Sequence, residues 1–143
     1  MIKIFVTGGT GFVGKALIEN LVSQNYEVRA LVRQPSEVLP MDVEQVILDD
    51  LADLTVHNSC GLSKNNFKDV EVLVHTAALV HVMNNSLGTF AKFREVNRDA
   101  TLVLARLAAE SGIKRFIFLS SIKVNGEMTK PNNPFTPDDE YIP

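Results

Sequence analysis

With 143 residues, 45% of them hydrophobic and 22% charged, the chain has the size and balance of one folded globular domain, which excludes a disordered or low-complexity segment. A net charge of −3 offers no positive field for nucleic acid or an anionic membrane, and the opening apolar run is too short for a signal peptide or a membrane span. The single cysteine, Cys60, excludes an internal disulfide, fits a reducing cytoplasmic compartment, and in its polar, Asn-rich surroundings reads as incidental.

In chain order, Ile2-Lys3-Ile4-Phe5-Val6 is expected to form a strand that runs directly into Thr7-Gly8-Gly9-Thr10-Gly11-Phe12-Val13-Gly14. Apolar residues then recur at helical spacing (Phe12, Val13, Ala16, Leu17, Leu21, Val22), and Asn25 marks the helix end. Strand, glycine turn and helix in that order read as the first half of a dinucleotide-binding unit, where the plainer alternative is a flexible turn. Gly8 allows the tight exit from the strand, Gly11 the close approach of a pyrophosphate, and Gly14 the close packing of the helix. The helix start at Phe12 and Val13 supplies free N–H groups and the positive end of a dipole, which suit a diphosphate.

Tyr26 to Val32 reads as the second strand. Its tip carries Val32 and Arg33, with no Asp or Glu to accept from the adenosine ribose hydroxyls. A 2′-phosphate is therefore welcome beside Arg33, and the expected cofactor is NADP or NAD, with NADP favoured; the alternative for Arg33 is a solvated surface arginine. Pro35 and Pro40 break the chain before a short third strand, Val43 to Leu48, which leads into Asp49-Asp50-Leu51, a place that also suits a helix N-cap. Residues 52–69 read as an interrupted helix and loop with no repeat and no metal-ligand spacing, and His57 as a surface histidine.

Val70 to His75 is expected to be a buried fourth strand, and the small residues Ala77 and Ala78 after it leave room for a cofactor lying across the sheet. His75 and His81 are both catalytic candidates in principle. From Leu87 to Glu110 one stripe of Phe90, Phe93, Val96, Ala100, Val103, Leu104 and Leu107 predicts a single long helix, closed by Ser111-Gly112. Asn97 lies on that stripe, so its amide needs a defined hydrogen-bond partner. Lys114 to Ser121 reads as the fifth strand, and the tail from Asn125 to Pro143, rich in Pro, Asn, Asp and Thr, carries no regular element. The fold expected is a doubly wound α/β sheet of five parallel strands in the order 3-2-1-4-5, with residues 1–143 forming one dinucleotide-binding domain.

The glycine spacing is G-x-x-G-x-x-G rather than G-x-G-x-x-G, and with Thr7 to Gly14 it resembles the extended short-chain dehydrogenase/reductase family, the nucleotide-sugar epimerases and dehydratases on a Rossmann-type fold. His75-Thr76-Ala77-Ala78 is similar to that family's His-x-Ala-Ala segment. Asn97-Arg98-Asp99-Ala100-Thr101 is similar to its Asn-x-x-Gly-Thr, with Ala100 in place of glycine. Ser121-Ile122-Lys123-Val124-Asn125-Gly126 is similar to its catalytic-serine segment, with Asn125 in place of tyrosine. The resemblance implies that Ser121 is catalytic, that Asp50 and Leu51 meet the adenine edge, and that Asn97 supports the active site and cofactor from behind. It also implies that His75 is a satisfied core histidine without chemistry.

By the same resemblance a Tyr-x-x-x-Lys pair should carry the proton chemistry, and this sequence lacks it; no lysine follows Tyr141 at four residues' distance. The chain therefore reads as the N-terminal part of a larger enzyme, inactive alone, with an apolar face left open to self-association. The whole enzyme would be a homodimer acting on a UDP-sugar by hydride exchange at sugar C4, most like UDP-glucose 4-epimerase. A 4-keto-6-deoxy-sugar nucleotide reductase of polysaccharide biosynthesis and a non-catalytic NADP(H)-sensing regulator are the alternatives. No nucleic-acid partner, membrane or metal is implied.

Overall fold

The computed structural model describes residues 1–56, 61–80 and 87–141; His57, Cys60 and His81 lie outside these. Five strands, β1 (Lys3–Thr7), β2 (Glu27–Val32), β3 (Glu44–Ile47), β4 (Val70–His75) and β5 (Arg115–Phe118), form one parallel sheet in the order β3-β2-β1-β4-β5. This is the expected order.

The inner strands β2, β1 and β4 are largely apolar on both faces because both are covered. On one face Ile4, Val6, Val28, Ala30 and Val74 pack with Ile18 of helix α1 (Phe12–Ser23). On the other, Phe5, Leu31 and Leu73 pack with Leu104 and Ala108 of helix α4 (Ala100–Glu110), and Phe67 closes on Phe5 with ring centroids 4.9 Å apart. Two further helices, α2 (Asp53–Val56) and α3 (Leu87–Arg94), precede α4. Arg29 of β2 is buried on this second face, where it pairs with Glu44 of β3 at 2.7 Å and donates to the Asn66 carbonyl.

Helix ends follow local chemistry. Asn25 takes a positive φ of 61°, its N–H donates to the Val22 carbonyl and that of Tyr26 to the Leu21 carbonyl, so α1 stops there and the chain turns into β2. Gly112, at φ 78°, ends α4 in the same way.

Three expectations are corrected. The single helix expected over Leu87–Glu110 is interrupted by a π turn at Glu95–Asp99, where the Ala100 N–H reaches back to the Glu95 carbonyl. The extra residue in that turn rotates everything before it relative to α4, so one stripe cannot serve both halves, and Phe90 is 70% exposed. Phe12, 96% exposed, and Val13 do not belong to the apolar face of α1, which runs instead through Gly14 and Ile18. The β4–β5 ladder stops at Phe118, short of the two serines, and a 3₁₀ turn at Ile122–Asn125 follows. Among the described residues, no helix is long and apolar enough to cross a membrane.

Candidate functional site

A cleft of about 580 Å³ opens at the carboxyl ends of β1, β2 and β4, where successive connections leave to opposite sides of β1. Its walls include Gly8, Gly11, Phe12, Val13, Gly14, Arg33, Asp50, Leu51, Ala77 and Ala78. Every cofactor-binding residue expected from the sequence therefore lies on it, except Asn97.

The turn after β1 owes its shape to glycine. Gly8 takes a φ of 71°, and a Cβ there would stand 2.7 Å from both the Ala77 nitrogen and Thr76 Oγ1. At Gly14 a Cβ would stand 2.1 Å from the Gly8 carbonyl oxygen, so this glycine lets the helix close on the turn itself, not only on the strand. Gly11 differs: it is exposed on the cleft, and a Cβ there would meet the protein only at the Gly8 carbonyl, at 3.2 Å. The first N–H groups of α1, from Phe12, Val13 and Gly14, have no intrahelical acceptor, as at any helix start, and they carry the positive end of the helix dipole. Glycine wall, free N–H groups and a cleft of this volume together fit a dinucleotide diphosphate.

Asp50 and Leu51 form the wall beyond β3. The Asp50 carboxylate accepts from the Ala52 N–H at 3.0 Å and its own N–H donates to Asp53 Oδ2 at 3.3 Å, which fixes the loop before α2. Arg33 lines both this cleft and an adjoining one of about 550 Å³ shared with Thr10, Ser36 and Asp49.

Asn97 acts one layer behind the wall. Its side chain accepts from the Leu79 N–H at 2.7 Å and donates to the Leu79 carbonyl at 2.9 Å, clamping the segment that leaves β4. His75, only 1% exposed, has Nδ1 2.6 Å from Thr7 Oγ1 and Nε2 2.9 Å from Thr101 Oγ1, and burial pushes its pKa down to about 4. Ser121 is exposed at the end of β5 and is not among the cleft residues; its Oγ accepts from the Lys123 N–H at 3.3 Å, which leaves its own proton free to donate. Asn125, nearly buried, donates to the Asp139 carbonyl at 3.2 Å and so holds the tail against the 3₁₀ turn. The sequence reading missed Thr7 and Thr101. Their signal was positional: one ends β1, and the other follows Asn97 by one helical turn.

The chain matches the family described as "NAD dependent epimerase/dehydratase family" over residues 4–143. It belongs to that family. One curated relative, UDP-glucose 4-epimerase of Vibrio cholerae, is 38% identical over 99% of this chain and 41% of its own length. Another, 3-beta-hydroxysteroid dehydrogenase of Mycolicibacterium neoaurum, is 28% identical over 90% of this chain and 37% of its own. Among solved structures, MoeE5 in complex with UDP-glucose and NAD superposes with a TM-score of 0.78 at 27% identity, over 99% of this chain and 42% of that one. The chain thus spans about two fifths of the length of these family members.

Proposed function

We propose that this chain is the cofactor-binding part of a nucleoside-diphosphate-sugar epimerase or dehydratase, most like UDP-glucose 4-epimerase. The observation that carries the reading is the glycine-walled cleft at the first helix start, in a chain 38% identical to such an epimerase. Gly8, Gly11 and Gly14 with the N–H groups of Phe12 and Val13 would hold the diphosphate, Asp50 and Leu51 the adenine edge, and Ala77 and Ala78 the floor under the dinucleotide. Asn97 would steady that floor through Leu79. A nicotinamide cofactor held there supplies hydride exchange at sugar C4. Ser121 would donate its free hydroxyl proton to the sugar 4-oxygen. The proton chemistry itself belongs to a Tyr-x-x-x-Lys pair that these residues do not include, so the chain alone turns over no nucleotide-sugar; the whole enzyme would be a cytoplasmic homodimer.

For the cofactor, the absence of a carboxylate at the tip of β2 and the position of Arg33 between the two clefts favour NADP over NAD. Calorimetric titration with NADPH and NADH, repeated on Arg33→Ala, tests this. NADPH should bind more tightly, and the preference should vanish in the variant. Equal binding of both by the native chain sinks the NADP preference, and binding of neither sinks the cofactor reading as a whole.

A further inference from the structure

The hydrogen bonds around His75 can each be given a direction. Thr101 Oγ1 lies 2.9 Å from the Asn97 carbonyl, which can only accept, so the hydroxyl spends its single proton there. Toward His75 Nε2 that oxygen can therefore only accept, and Nε2 must carry the ring proton. The other end is consistent with this. With Nε2 carrying the proton, Nδ1 is an acceptor, so Thr7 Oγ1 donates to it at 2.6 Å while accepting from the Ala77 N–H at 3.3 Å. Each proton in the chain is used once, and the Thr101 end sets the tautomer.

The ends of this chain are places on the cleft wall. Ala77 N–H fixes the start of the wall segment to β1; the Asn97 carbonyl belongs to the π turn, whose Asn97 side chain grips Leu79, the other end of the segment. Ala77, Ala78 and Leu79 all line the cleft. We propose that His75 is a positioning residue, held as the Nε2–H tautomer so that the hydrogen-bond chain Ala77–Thr7–His75–Thr101–Asn97 sets the spacing of the cleft wall between Ala77 and Leu79. The imidazole never touches the dinucleotide. It acts through the wall, and this rests on the cleft being the dinucleotide site.

Two measurements on the 143-residue chain test it. The two-bond ¹⁵N–¹H correlation of the His75 ring at neutral pH reads which nitrogen bears the proton in the native chain with no ligand needed; the resonance is assigned by its loss in His75→Gln. The expected pattern is Nε2–H alone, and an Nδ1–H or averaged pattern overturns the relay. Titration with NADPH then compares Thr101→Ser, which keeps the hydroxyl, with Thr101→Val, which removes it. Thr101→Ser should stay within about twofold of the native chain and Thr101→Val should bind about tenfold more weakly. Equal binding by Thr101→Val and Thr101→Ser overturns the proposal. If the native chain binds no dinucleotide, it is the cofactor reading that fails, and the wall-spacing role fails with it while the nitrogen pattern still reports the tautomer.

Discussion

Gly14 has no room for a methyl group, because the atom it would strike, the Gly8 carbonyl oxygen at 2.1 Å, is backbone and cannot swing aside. Gly14→Ala should cost about 1–3 kcal/mol and abolish NADPH binding. Gly112 is the converse case, with a positive φ of 78° but nothing within 4 Å of a Cβ, so Gly112→Ala should cost only the backbone term of about 1 kcal/mol and leave binding intact. Urea unfolding and NADPH titration of the pair separate crowding from strain. The His75 imidazole gives a second prediction at this scale. The unfolded chain takes up a proton there below about pH 6.5, while the folded chain does so only near pH 4. The neutral buried ring therefore contributes in full above pH 6.5, and the contribution drains away as pH falls to 4, by about 3 kcal/mol in all. Urea unfolding across that window should show the loss, and the same series on His75→Phe should lack that component. The glycines were legible because their spacing is a backbone requirement written in one residue type. The threonines were not, since a hydroxyl that serves a histidine 68 residues away leaves no local pattern.

The π turn at Glu95–Asp99 is where local pattern misled: the apolar spacing over Leu87–Glu110 looks continuous, yet the extra residue turns Phe90 outward and brings the Asn97 amide to the Leu79 backbone. The need for a partner at Asn97 was legible from its apolar neighbours; the widened turn that supplies one depends on a segment 18 residues earlier. Asn97→Asp isolates this clamp. An ionised carboxylate can still accept from the Leu79 N–H, but its second oxygen then faces the Leu79 carbonyl at hydrogen-bond distance with no proton between them. The variant should lose about 2 kcal/mol of stability and weaken NADPH binding, both read by thermal shift with and without nucleotide. Asn97 unchanged in both readouts on this substitution would show that the clamp is incidental to the cleft.

For the molecule as a whole, the strand order and the glycine cleft could be read from the sequence because buried parallel strands are near-continuous apolar runs and their crossovers have one hand. Residues 52–69 could not, since short turns such as Lys64–Phe67 are held by tertiary contacts, here Phe67 on Phe5, and not by any periodicity of their own. The outer strand β5 leaves Ile117 and Phe118 exposed at a sheet edge, with exposed Leu119 directly after it, an arrangement that favours edge-to-edge association. Light scattering should show mass rising with concentration, and Ile117→Lys should suppress it; a monomer at all concentrations would remove the idea. The order β3-β2-β1-β4-β5 also has a consequence in time. β1, α1 and β2 are neighbours in both sequence and space, and can come together as soon as they exist, whereas β4 must close a long loop to lie against β1, joining Thr7 to a histidine 68 residues on. On this topology the glycine turn is expected to assemble first, on a half-sheet, and the opposite wall of the cleft only with that closure, so a ligand of the pocket would reward only chains that have already committed to the complete topology.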